Sequence, residues 1–71
     1  MEIDIGEEVK FQNEIYTVLG SVYNFKSENY FVRLRKNSDR SVEIRIPEKQ
    51  FEEEAVEVNH LFEALDKILK D

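Results

Sequence analysis

The chain has no cysteine and no tryptophan, and only one histidine, one proline and two glycines in 71 residues. Without cysteine there is no disulfide scaffold, no zinc ribbon and no thiol chemistry. A lone histidine leaves little for proton shuttling or metal ligation. Uninterrupted apolar runs reach only two or three residues, as at Ile15-Tyr16 and Val18-Leu19, so nothing reads as a membrane span. The start of the chain is acidic (Glu2, Asp4, Glu7, Glu8) and shows no basic-then-apolar leader. These absences lead to the expectation of a soluble, cytoplasmic protein. Charged residues make up 37% and apolar residues 41%, which is polar for a globular domain but outside the disordered class. At this length the chain is expected to be a single domain over residues 1–71.

Charge is unevenly placed. Residues 1–29 carry two basic and six acidic side chains, and residues 47–71 carry three and eight. Between them, residues 30–46 carry five basic and two acidic side chains, a basic island in a protein of net charge −6.

Period-2 alternation runs through the first two thirds. Val9 and Phe11 flank Lys10, and Gln12-Asn13-Glu14 reads as a short turn. Ile15 to Val22 is a strand with Ile15, Thr17 and Leu19 on one face and Tyr16 and Val18 on the other, both partly apolar; if the first set faces inward, Tyr16 is exposed. Gly20 inside this strand predicts a bulge or sharp bend. Asn24 to Asn29 is a polar loop carrying Phe25. Tyr30–Arg35 and Ser41–Ile46 form the clearest hairpin. The register expected for it sets Leu34 opposite Val42 and Val32 opposite Ile44. That choice pairs Arg33 with Glu43 and Phe31 with Arg45, whereas the next register sets Arg33 against Arg45.

Pro47 cannot donate to a ladder and is expected to end that strand. Pro47 to Phe51 reads as a single 3₁₀-type turn delivering Phe51 to the core, followed by a short strand at Val56 and Val58. Asn59 is a good N-cap. His60 to Lys70 reads as a helix whose stripe is Leu61, Phe62, Leu65, Ile68 and Leu69. The fold class expected is mainly β with one C-terminal α-helix: a five-stranded barrel over about 3–58, capped by a helix over 59–70. A β-meander capped by the same helix accommodates the pattern as well.

Two segments carry a family resemblance. Ile5-Gly6-Glu7-Glu8-Val9-Lys10-Phe11 resembles the G-x-x-V opening of SH3-like, Tudor-like and KOW-like small barrels. Ile46-Pro47-(x)₃-Phe51 resembles the turn before their closing strand. The resemblance covers residues 3–58 and implies a small SH3-like barrel without implying an activity. The aromatic groove of proline-rich-peptide binders, with its tryptophan, has only Pro47 as a counterpart here. The early glycines and basic residues of KOW segments have none.

For function, the residues point away from an enzyme and away from any cofactor. His60 beside the helix start reads as a solvent-edge residue, and Glu52-Glu53-Glu54 with Glu57 reads as a solvated acidic edge. The latter lacks the Asp/Asn/Gly spacing of a calcium loop. The constellation with partner-binding character is Tyr23, Phe25, Phe31, Arg33, Arg35 and Arg45, with Lys36 and Arg40 at the hairpin turn. It leads to the expectation of a non-catalytic interaction module or regulatory protein, monomeric by default, that binds a protein partner with an acidic patch. The alternative is weak single-stranded nucleic-acid binding by the 30–46 hairpin, where arginines meet phosphates and Phe31 stacks on a base. The net charge disfavours that alternative.

Overall fold

The computed structural model describes residues 4–58, and the helix expected over 59–70, His60 included, lies outside the described residues. The described chain is mainly β, with five antiparallel strands and one short helix. In chain order these are β1 (Glu8–Phe11), β2 (Glu14–Asn24), β3 (Asn29–Lys36), β4 (Glu43–Pro47), α1 (Glu48–Glu54) and β5 (Val56–Glu57). The sheet order is β4-β3-β2-β1-β5 and the sheet is open. β4 and β5 form its two edges rather than pairing, so the closure expected of a barrel is absent and the meander alternative describes β1 to β4.

The first hairpin turns on Gln12 and Asn13, both at positive φ (50° and 65°). Two consecutive left-handed residues match the twist of the flanking strands, which makes a two-residue connection possible. That turn sets Phe11 opposite Glu14 and Val9 opposite Tyr16. Because Val9 is buried, Tyr16 is carried inward with it, and Val18 follows. The inward face of β2 is therefore Tyr16 and Val18, with Ile15, Thr17 and Leu19 outward, which settles a choice the two apolar faces leave open. Phe11 and Tyr16 meet edge to face with ring centroids 6.3 Å apart.

The bulge expected at Gly20 is present. Val18 pairs with Leu34 and Gly20 with Arg33, leaving Leu19 as the extra residue. Gly20 has φ +144°, a backbone conformation that L side chains rarely adopt. Beyond the bulge the inward set changes parity, so Ser21 and Tyr23 face the same side as Val18.

The β3–β4 register is a correction. Leu34 lies opposite Ile44, Val32 opposite Ile46, Arg33 opposite Arg45 and Phe31 opposite Pro47. Burial decides it. This register puts Ile46 into the core at 7% exposure and leaves Val42 at the rim, 37% exposed. The alternative would bury Val42, the smaller side chain, and move Ile46 to the strand end. The connection agrees: Lys36 N–H donates to the Val42 carbonyl (3.0 Å), and Val42 N–H donates to that of Asp39 (3.0 Å). The like-charge arginine pair this creates is relieved by Glu43.

Pro47 ends β4 as expected, and with φ −56° and ψ 141° it leads directly into α1. The segment expected as a single 3₁₀-type turn is a seven-residue α-helix. It delivers Phe51, 5% exposed, into the core with Val9, Phe11, Tyr16, Val18, Val32, Leu34 and Ile46. β5 is only two residues long and pairs with β1 through Val9–Glu57 and Lys10–Val56. The other edge, β4, carries Glu43, Arg45 and Pro47, features that discourage further strand pairing.

Candidate functional site

The β2–β3 hairpin is longer than its neighbours. β1 pairs with β2 only through Glu14–Thr17, and β4 pairs with β3 only from Phe31 onward. The far end of the hairpin therefore projects from the sheet as a two-stranded ribbon. Its loop is braced locally. The Asn24 side-chain carbonyl accepts from the backbone N–H groups of Lys26 (2.9 Å) and Ser27 (3.1 Å). The Ser27 hydroxyl donates to Asn29 Oδ1, and Glu28 takes a left-handed φ of 53°.

On this ribbon Tyr23 pairs with Tyr30 across the strands, their ring centroids 5.1 Å apart. Phe25 stands edge-on to Tyr23, also at 5.1 Å. All three rings are exposed, Phe25 at 86%. Tyr30 belongs to this cluster, although the alternation pattern marks it only as the start of the Tyr30–Arg35 strand. The signal was available, because a loop closed by Asn24 and Asn29 makes the adjacent pair Tyr23 and Tyr30.

Phe31, Arg33, Arg35 and Arg45 lie on the opposite, outer face of the sheet. The six residues expected to share one surface thus divide, with Tyr23 and Phe25 on the tip and the other four on the outer face. Phe31 is half-buried, and Pro47 rather than Arg45 stands opposite it. Glu43 binds Arg33 through both carboxylate oxygens, from Nη2 at 2.9 Å and Nε at 3.2 Å, and also meets Arg45 Nε at 3.5 Å. The Arg33 hydrogen bond holds the Glu43 carboxyl below its ordinary value, and Glu43 in turn raises Arg33.

Arg35 stands opposite Glu43 in the ladder, but that carboxylate is turned toward Arg33 and Arg45. Arg35 instead borders a groove of about 390 Å³ on the outer face, with Lys36, Arg40, Thr17 and Asn37.

Among the described residues no group of three or more histidine, cysteine, aspartate or glutamate side chains is placed to hold a metal ion. Glu52, Glu53 and Glu54 are exposed on α1. No helix among the described residues is long and apolar enough to cross a membrane. No family model matches the chain, and neither a curated protein nor a solved structure matches it.

Proposed function

We propose that the chain is a small non-catalytic interaction module that docks a protein partner through Tyr23, Phe25 and Tyr30. The observation that carries this reading is the solvent-exposed aromatic trio on a projecting ribbon, with Phe25 and Tyr30 each meeting Tyr23 edge to face. Phe25 touches no core residue through its ring contacts, and the loop backbone is already braced by Asn24. Its exposure therefore does little for the fold. Burying such a side chain in a partner's apolar pocket contributes roughly 1.5–3 kcal/mol. Aromatic anchors of this kind dominate binding energy at protein interfaces. A rigid hairpin keeps the entropy cost of docking low. β5 returning to β1 after a proline-led helix supports the SH3-like resemblance as the scaffold for this role.

The nucleic-acid reading rests on the outer face, where Phe31 is half-buried and Glu43 is shared between Arg33 and Arg45, offsetting one of their two charges. A net charge of −6 further opposes a polyanion. The protein reading is therefore the better supported.

The test compares wild type with Phe25→Ser and Tyr30→Ser in affinity capture, followed by direct titration of the captured protein after purification. Each substitution should weaken the purified complex about 10- to 100-fold. Equal affinity of a folded Phe25→Ser variant would overturn the tip as the docking site. In a second arm the ¹⁵N-labelled protein is titrated with a mixed-sequence single-stranded oligonucleotide. Amide shifts confined to 31–36 and 40–45 that persist at physiological salt would favour nucleic acid instead.

A further inference from the structure

The outer-face groove is independent of the aromatic tip and has a chemistry of its own. Its arginines are Arg35 at the end of β3 and Arg40 in the β3–β4 connection, while Lys36, opposite the inward Tyr16, alternates to the other face. Lys36 is partly compensated by Glu14, 3.7 Å away. Arg35 and Arg40 make no ion pair among the described residues. Each has a carboxylate close by in sequence or register, and each of those carboxylates is already engaged. Glu43, opposite Arg35, is taken by Arg33 and Arg45. Asp39, next to Arg40, accepts from the Ser41 hydroxyl at 2.6 Å and from the Ser41 N–H at 3.1 Å.

The polar wall of the groove is also locked. The Thr17 hydroxyl donates to Asn37 Oδ1 at 2.6 Å, and the Asn37 amide donates to the Glu8 carboxylate at 2.9 Å. Asn37 N–H is tied to the Ile15 carbonyl at 3.0 Å. The one carboxylate in the groove, Glu8, is thus held by an amide, and no ion pair joins it to either arginine.

The geometry points to an oxyanion site between Arg35 and Arg40 that takes a dianionic phosphate group, free or carried as a monoester. Arg35 and Arg40 outweigh the single Glu8 carboxylate and leave the groove net positive, and their planar forks suit a tetrahedral oxyanion. Local charge opposes the field of the acidic chain, and the locked Thr17–Asn37–Glu8 chain keeps the wall from competing for the arginines. A groove of about 390 Å³ has room for the phosphate and the group that bears it.

The test is an amide-resolved titration of the ¹⁵N-labelled protein at constant ionic strength. One arm uses inorganic phosphate, a second glycerol 3-phosphate, and a third sodium chloride alone. Saturable shifts at Thr17, Arg35, Lys36, Asn37 and Arg40 with either phosphate, and not with chloride, are expected. Tighter binding of the ester identifies a monoester site, and equal or weaker binding identifies a site for the free ion. Arg40→Gln, at an exposed loop position, and Arg35→Gln should each weaken binding about tenfold. Non-saturating shifts, shifts reproduced by chloride, or undiminished binding by a well-dispersed Arg40→Gln variant would overturn the site. Silence at Tyr23 and Phe25 is expected throughout, so the outcome does not depend on the partner-docking role of the tip.

Discussion

The β3–β4 register can be tested by a pair of truncations whose costs it separates. Ile46→Ala removes three carbons from a side chain that is 7% exposed and packed with Val32 across the ladder. A truncation of that kind in a well-packed core costs about 3 kcal/mol, within the usual span for isoleucine to alanine. Val42 sits at the connection, 37% exposed, so Val42→Ala should cost roughly 0.5 kcal/mol or less. A chain of 71 residues has a global stability on the order of 4–10 kcal/mol, so the first change removes a large fraction and the second almost none. With a urea dependence of about 1 kcal/mol per molar for so small a domain, Ile46→Ala should lower the unfolding midpoint by roughly 3 M. Circular dichroism is the suitable probe because the chain has no tryptophan. The reasoning fails if the order is reversed. In the register with Leu34 opposite Val42, Val42 enters the core and Ile46 moves to the strand end, so Val42→Ala becomes the costly change.

Two further outcomes follow from local geometry. Gly20→Ala meets no steric obstacle, the nearest atom to an added Cβ being Ile5 Cδ1 at 4.0 Å. Its cost should instead come from forcing alanine to φ +144°, about 1–3 kcal/mol by urea unfolding, and a neutral result would contradict the bulge geometry. Glu43 is held below its ordinary value of 4.5, first by the Arg33 hydrogen bond, so the unfolded chain takes up that proton before the folded one does. The contribution of Glu43 is therefore complete above pH 4.5 and is lost as pH falls through the lower folded value. Urea midpoints measured from neutral pH into acid should fall less steeply for Glu43→Gln than for wild type. Asp39, lowered by its Ser41 hydrogen bonds, acts in both proteins and cancels in the comparison. Identical slopes would remove the Arg33–Glu43 pair from the stability account.

What could be read from the residues, and what could not, divides along physical lines. Alternation located β1 and the β3–β4 hairpin because Lys10, Arg33 and Arg35 interrupt apolar neighbours at every second position. Pro47 marked the strand end and Phe51 the core because neither has another stable placement. β2 was ambiguous because both of its faces are apolar, so the pattern alone does not distinguish Tyr16 and Val18 from Ile15, Thr17 and Leu19. What selects the face is the partner strand. Val9 between charged neighbours has to point inward, and the two-residue turn then carries Tyr16 with it. The register error had a different origin. A like-charge pair weighed against the observed alignment in pairwise terms, whereas in the fold a carboxylate reaching diagonally relieves that pair and the burial of Ile46 decides. The arginines were legible as a group. Their division into Arg33 and Arg45, which share Glu43, and unpaired Arg35 was not, because it depends on which way one glutamate turns.

The extra residue at Leu19 has a consequence for how this surface can change. Leu19 sits between Val18, paired to Leu34, and Gly20, paired to Arg33, and is itself matched to nothing on β3. A chain lacking Leu19 could therefore keep every other partner in the ladder, Tyr23 beside Tyr30 included, without turning any side chain over. It would lose the added bend and twist that a bulge imparts. The length of β2 at this one point thus acts as a steering joint. A single-codon deletion would swing the three aromatic rings to a new bearing while leaving their edge-to-face contacts intact, separating the composition of the contact surface from its direction.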